Sequence, residues 1–459
     1  MHKHRKQLQW ETLPYVHPNA GGLDIGAREI WACVPADRDL EPVRRFGTFT
    51  PDLIALVDWF VRCGMDTVAM EATGVYWIPV FELLEARGLK AYLVNAQHLK
   101  RVPGRKSDYL DCPWIQKLHT LGLLAGSLRP DAEMCALRAY LRHRAQLLQH
   151  RAPHILHLQK ALHQMNVQLT QVLTDVTGVT GLAILRAIVA GERDSVKLAC
   201  LRNPACKSSE DEIAKALTGT WQPEHLFVLK QSLELYDFYT AQVAACDAAI
   251  EQHFSALKPR WEGIPPVDLP RVKRGSKSKN QPALNVRSHL YRLTGVDLVA
   301  VHGISASTAQ ITLRVSETGT EMSKWPSEKH FASWLGLAPH NDISGGRVLR
   351  SRTLKTSNRA GQAFRQAAQS VARSDCAFGA YYRRMKARLG PEQAIVATAH
   401  KMACTVYYLL KHRVQYQDIG APAYAQKQRD TQLARLKRQA AKLGFTLTSH
   451  IPELPAVGG

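Results

Sequence analysis

Long apolar runs are missing from this chain of 459 residues: no stretch approaches the roughly 18 residues that a helix needs to cross a bilayer. A helical membrane protein is thereby excluded. Cysteine pairs are missing as well. The nine cysteines, at 33, 63, 112, 135, 200, 206, 246, 376 and 404, include no C-x-x-C spacing, which fits reduced thiols better than disulfides or a thiolate zinc site. The basic start Met1-His2-Lys3-His4-Arg5-Lys6 runs into Gln7, Trp10 and Glu11 rather than an apolar segment, so no secretory leader is expected and the chain reads as cytosolic. Acid is in short supply: 39 Asp and Glu face 60 Lys and Arg, a net charge of +21. Such a balance calls for a polyanionic partner, nucleic acid first and an acidic membrane surface second.

Hydrophobic residues make up 45% of the chain, enough for packed cores, and the length suits two or three domains. Residues 1–20, polar and holding Pro14 and Pro18, are expected to form a flexible basic arm. Over 21–128 the pattern is α/β. Gly22-Leu23-Asp24-Ile25 and Glu29-Ile30-Trp31-Ala32-Cys33 read as a strand hairpin, with Phe46–Phe49 as a third strand. Pro51-Asp52 opens a helix with Leu53, Leu56, Val57 and Phe60 at helical spacing. Thr67–Met70 is a buried strand ending at Glu71, Val80–Arg87 a helix closed by Gly88, and Lys90–Asn95 the next strand. This order matches a mixed sheet of ribonuclease H-like layout.

Over 129–257 a long helical coiled-coil arm with an insertion is expected. Met134, Leu137, Leu141, Leu148, Ile155, Leu158, Leu162, Met165, Leu169 and Val172 follow one heptad register, broken by Arg144, Arg151 and Pro153, and a second seam runs from Leu226 to Phe254. The pattern suits an antiparallel hairpin and an intermolecular coiled coil alike. Residues 258–294 form a basic, proline-containing linker with Lys273 and Arg274, either a solvated loop or a phosphate contact. A mostly helical domain is expected over 295–412, with a helix-hairpin-helix-like turn at Val301-His302-Gly303-Ile304-Ser305, and a basic helical tail over 413–459.

Four carboxylates carry the chemistry. Asp24 sits inside an apolar strand, where an acid is costly unless it binds a cation or is paired, and Glu71 ends a second such strand. Asp108 and Asp111, three apart at the start of a helix, project from one face. Hard oxygen donors of this kind suit Mg²⁺, although each acid taken alone could equally cap a turn or helix. The second cluster is Ser344-Gly345-Gly346-Arg347 with Arg350, Arg352, Lys355 and Arg359. Its arginines could grip a phosphate bidentately. The serine could be a nucleophile, or Ser-Gly-Gly a plain turn.

The segments Leu23-Asp24-Ile25-Gly26, Met70-Glu71-Ala72-Thr73-Gly74 and Lys106-Ser107-Asp108-Tyr109-Leu110-Asp111 resemble the DEDD, RuvC-like domain of the IS110/IS1111 transposases, a family that includes the Piv-type DNA invertases. Val301 to Arg365, with Trp334-Leu335-Gly336-Leu337-Ala338-Pro339 and Ser344-Gly345-Gly346-Arg347, resembles their C-terminal transposase domain. The resemblance implies a site-specific DNA recombinase of the bacterial cytosol or nucleoid. Asp24, Glu71, Asp108 and Asp111 would bind Mg²⁺, and Ser344 would attack the scissile phosphate. Arg105, Lys106, Lys273, Arg274, Arg347, Arg350, Arg352, Lys355 and Arg359 would contact nucleic acid. Implied partners are double-stranded DNA at element ends and target, a structured guide RNA, and further copies of the chain in a dimer or tetramer joined through the helical arm. Residues near 191–295 exceed a short family member, and Ser351 and Ser357 compete with Ser344 for the nucleophile. A RuvC-like nuclease using water and a non-catalytic nucleic-acid-binding protein are the alternatives. An actin-like sugar kinase, which also opens on Asp-x-Gly, fits the basic charge poorly.

Overall fold

The computed structural model describes residues 13–448 apart from 73, 95–110, 125, 128, 130–131, 259–268, 270–278, 316–321 and 354–357. Arg105, Lys106, Asp108, Lys273, Arg274, Lys355 and Ser357 therefore lie outside the described residues. The chain divides into two compact units, Met1–Arg129 and Pro130–Gly459. No described helix is long and apolar enough to cross a membrane. All nine cysteines are free thiols.

The first unit is built on β1 (Ala20–Ile25), β2 (Glu29–Cys33), β3 (Val43–Gly47), α1 (Thr50–Arg62), β4 (Thr67–Glu71), α2 (Trp77–Ala86), β5 (Lys90–Val94) and α3 (Asp111–Thr120). The sheet order is β3-β2-β1-β4-β5. β1, β2 and β3 pair antiparallel, while β4 and β5 continue the sheet in parallel. This is the mixed ribonuclease H-like arrangement. Its central strands are apolar on both faces because both are covered. Leu23, Ile25, Val68 and Met70 pack with Leu56, Phe60 and Leu84 of α1 and α2, whereas Ala69 and Val94 pack with Ile115 and Leu118 of α3. β3 begins earlier than the aromatic pattern suggests. Phe49 is spent as the N-cap of α1, its N–H donating to Asp52 Oδ2 at 3.2 Å. α2 likewise starts at Trp77 rather than Val80.

At the foot of this sheet the buried His119 ring meets Thr67 Oγ1 through Nε2 at 3.0 Å. Thr67 spends its hydroxyl proton on Lys90 O at 2.8 Å, so its oxygen accepts and His119 is the neutral Nε2–H tautomer. Burial, then the nearby His17 and Lys90, pull the His119 pKa down to about 4.

The second unit opens with α4 (Ala132–Gln164), continues through the short helices α5 (Leu169–Val172), α6 (Val179–Val189), α7 (Ser195–Ala199) and α8 (Glu210–Ala216), and returns along α9 (Pro223–Ala256). α4 and α9 run antiparallel. Glu133 O meets His253, Tyr140 O meets Cys246, and Arg151 donates to Thr240 Oγ1 at 3.3 Å. The two heptad seams face each other within one chain. α4 ends before the heptad pattern does: Asn166 turns the backbone at φ +53°, and Leu169 and Val172 belong to α5. α5 to α8 pack with the adjoining ends of α4 and α9 into a separate core around Leu162, Ile184, Ile188 and Ile213.

The arginines that break the heptad are buried and satisfied. Arg144 forks onto Asp247, with Nη2 to Oδ2 at 3.1 Å, and also donates to Asn280 O at 3.1 Å. Arg151 donates to Asn280 Oδ1 at 2.9 Å and lies over the Tyr236 ring. Ala283 N–H completes the Asp247 carboxylate at 3.2 Å, and Lys279 binds Thr177 and Asp175. The described end of the linker is thus bound to the helical pair.

The last nine residues expected in the linker form a helix instead, α10 (Val286–Thr294), and after it come a 3₁₀ turn at Leu298–Ala300, α11 (Ala306–Val315), α12 (Glu328–Trp334), β6 (Pro339–Ser344), β7 (Arg347–Thr353), α13 (Arg359–Ser370), α14 (Ala377–Leu389), α15 (Pro391–His412) and α16 (Gly420–Lys442). In place of an apolar helix, the three-residue 3₁₀ turn Leu298–Ala300 precedes the expected helix-hairpin-helix-like turn, where Gly303 stands at φ +86°. A Cβ there would stand 2.7 Å from Ala367 O, so only glycine fits. Ser305 Oγ accepts from Thr308 N–H at 3.1 Å and caps α11 with its own side chain.

Asp247→Ala leaves Arg144 charged and buried, and is expected to cost about 3–5 kcal/mol in urea unfolding, most of it recovered in Arg144→Met/Asp247→Leu. The depressed His119 pKa predicts a pH effect. The unfolded histidine binds a proton more readily, so its contribution is complete above pH 6.5 and is lost as pH falls toward about 4, at about 1.4 kcal/mol per pH unit. Denaturant midpoints of wild type and His119→Gln over that range should show the slope reduced in the variant.

Candidate active site and nucleic-acid interface

β1 and β4 are parallel with Leu23 opposite Met70. The next residues, Asp24 and Glu71, therefore lie side by side at the C-terminal ends of adjacent strands. By the two-residue alternation of a strand they share a face with Gly22 and Ala69, the face that α3 covers. At Gly22 the helix comes close: a Cβ would stand 2.7 Å from both Cys112 O and Gln116 N. Cys112 Sγ donates to Gly22 O at 3.4 Å, and Gln116 Nε2 reaches Ala20 O at 3.2 Å. α3 thus runs opposite to β1, and its first residue, Asp111, lies toward the Asp24 end. Three of the four expected acids gather at one edge of the sheet, all half-buried. Among the described residues, no group of three or more His, Cys, Asp or Glu is arranged to hold a metal ion.

Burial raises the Cys112 thiol far above its usual range, and Cys33 and the Asp24 charge add to the effect. It stays a neutral S–H. The acidic side chains described at this edge, Asp24, Glu71 and Asp111, offer carboxylate oxygen, the donor type that suits a hard cation.

The serine cluster is a strand hairpin set in an otherwise mostly helical region. β6 and β7 form a hairpin whose two-residue turn is Gly345-Gly346, at φ +55° and +76°. Positive φ at both positions is the primed turn that matches strand twist. Polar strands that alternate no apolar residue against a core leave little periodic signal, and the double glycine was the available clue. Residues 341–352 are exposed throughout.

Register decides what this hairpin presents. Ser344 pairs with Arg347 and Ile343 with Val348, and then the ladder slips so that Asp342 pairs with Arg350 and Asn341 with Ser351. Leu349 is the extra residue of a β-bulge. Cross-strand partners share a face, so the bulge brings Arg350 and Arg352 onto the face of Ser344 and Arg347, with Asp342 among them. Ser351 falls on the opposite face with Ile343 and Val348. Sequence reasoning gave no role to Asp342, which only the register places there. Arg359 opens α13, exposed, behind the Asn358 cap.

Residues 21–167 match a family model described as Transposase, of the DEDD IS110 type, and residues 298–383 match one described as Transposase IS116/IS110/IS902 family. The chain belongs to the IS110 family of transposases. No curated protein matches it. The two models leave residues 168–297 of this transposase uncovered, the stretch that holds α5 to α10.

Gly22→Ala in this transposase forces α3 outward from β1. Overpacking of this kind should cost about 1–3 kcal/mol, read as a lowered melting temperature, and should depress DNA processing beyond that loss, whereas Gly88→Ala, whose added Cβ meets nothing but whose φ of +79° strains an alanine by about 1–2 kcal/mol, should lower the melting temperature and leave processing intact.

Proposed function

We propose that this insertion-sequence transposase cuts and rejoins DNA through a serine-linked intermediate. The observation that carries the proposal is the convergence of Asp24 and Glu71 on neighbouring strand ends with Asp111 at the start of the covering helix. It is supported by the alignment of Ser344 with Arg347, Arg350 and Arg352 on one hairpin face.

Asp24, Glu71, Asp111 and Asp108 are the residues that would hold Mg²⁺, their donor set being all carboxylate. Bound there, the ion supplies positive charge to the phosphate oxygens. The arginine face orients the phosphate and offsets the charge that grows on it during displacement. The Ser344 oxygen forms a bond to phosphorus as the bond to the leaving strand oxygen breaks. The hydroxyl proton departs to solvent or base, and the freed strand oxygen is protonated in turn. A second strand hydroxyl reverses these steps to rejoin DNA. The acids of one copy and the serine of another serve one phosphodiester in a dimer or tetramer, and a structured guide RNA selects donor and target. The net charge of +21 suits both nucleic acids.

Denaturing gels of protein incubated with element-end DNA should show a covalent adduct for wild type and Ser351→Ala and none for Ser344→Ala. Asp24→Asn should lower adduct formation by several orders of magnitude. An adduct persisting in Ser344→Ala places the nucleophile elsewhere, and cutting without any adduct favours a metal nuclease that uses water.

A further inference from the structure

α16 departs from the compact part of its unit after one well-packed turn. Ala421 and Tyr424 are buried against α14 and α15, whereas nearly every residue from 429 to 442 is exposed. At the root, Lys401 lies over the rings of Tyr381 and Tyr424, and Arg384 lies over the same two rings. Burial lowers the Lys401 pKa, and the charges of Arg384 and Lys427 lower it further. Three cations are crowded together there. Arg384 spends a donor on the neutral Gln428 side chain.

Along the free part the same side of the helix continues basic. At about 100° per residue, Lys427, Arg435, Arg438 and Lys442 fall within roughly 80° of arc and span about 22 Å. The one acid of α16, Asp430, accepts from Gln426 Nε2. Leu433, Leu436 and Ala440 occupy the opposite side. Like charges held in a row without acids raise the local potential, and a polyanion lowers it.

We propose that this row, from Arg384, Lys401 and Lys427 at the root to Lys442, is a phosphate-tracking surface for duplex DNA, separate from both the acid edge and the serine hairpin. The inference rests on the transposase reading for its choice of polyanion. A lone helix about 10–12 Å across fits the major groove of B-form DNA, about 12 Å wide, and not the narrow major groove of A-form RNA. Single-stranded binding needs aromatic rings on which bases stack; residues 427–442 contain none, and the two rings at the root, Tyr381 and Tyr424, are taken by Arg384 and Lys401.

The test uses the full chain carrying Asp24→Asn, so that DNA is bound and not cut, titrated by fluorescence anisotropy onto a duplex of arbitrary sequence at several salt concentrations. Arg435→Gln/Arg438→Gln/Lys442→Gln removes three exposed cations distant from any core. Each lost phosphate contact takes about 0.9 from the slope of log K against log salt, so the triple variant should flatten by roughly two to three. Leu433→Gln/Leu436→Gln, on the other side, should leave the slope unchanged. An unaltered slope in the triple variant overturns the proposal, as does an equal loss on single-stranded RNA or a flattened slope in the leucine variant alone. Equilibrium binding by a chain that does not cut DNA is independent of which residue is the nucleophile, so failure here and failure of the serine chemistry are distinguishable.

Discussion

The absence of a side chain at Gly22 sets the spacing on which the acidic edge depends. With hydrogen at that position α3 lies directly on β1, held by Cys112 and Gln116 to the strand's own carbonyls. At that spacing the start of α3, at Asp111, lies toward the C-terminal ends of β1 and β4, which carry Asp24 and Glu71. Leu23 and Met70, buried beside Asp24 and Glu71, fix the strand ends by packing. Apolar neighbours thus position groups that apolar surroundings alone would disfavour.

How much of this was legible depended on whether a segment's neighbours were written in its own periodicity. β1, β2, β4 and α1 were, because a strand or helix buried against one layer carries the period of that layer. Phe49 misled because an aromatic after a strand reads as more strand, while its actual task is to start α1. Arg144 and Arg151 looked like defects in a seam. Their partners, Asp247 and Asn280, are remote in sequence, and no local pattern encodes a pairing at that distance. Of the acids, Asp24 and Glu71 were legible from their apolar flanks. That Ser351 turns away from Ser344 was not, since one extra residue at Leu349 decides it.

Two kinds of electrostatic solution coexist in the second unit. Between α4 and α9 the charges are buried and matched, so Arg144 and Asp247 fix one register for two long helices, and a slip in either direction would leave a bare ion in the seam. Around α14, α15 and α16 the charges are unmatched in sign, with Arg384 and Lys401 lying over aromatic rings in place of carboxylates and Lys427 beside them. The first arrangement specifies a structure. The second leaves attraction available for something outside the chain.

The small helical core between α4 and α9 bears on how the chain finds its fold. Arg144 and Asp247 are 103 residues apart, and closing so long a loop in an open chain costs entropy that rises with its length and slows the search. α5 to α8 are short, consecutive and packed on one another, so they can condense from near neighbours. Once they have done so, the end of α4 and the start of α9 already stand together around Leu162 and Leu229. From that end the long helices need only close turn by turn toward the ion pair, which spares them the full cost of the long loop. A stretch that neither family model covers would in this way turn a distant encounter into a local one.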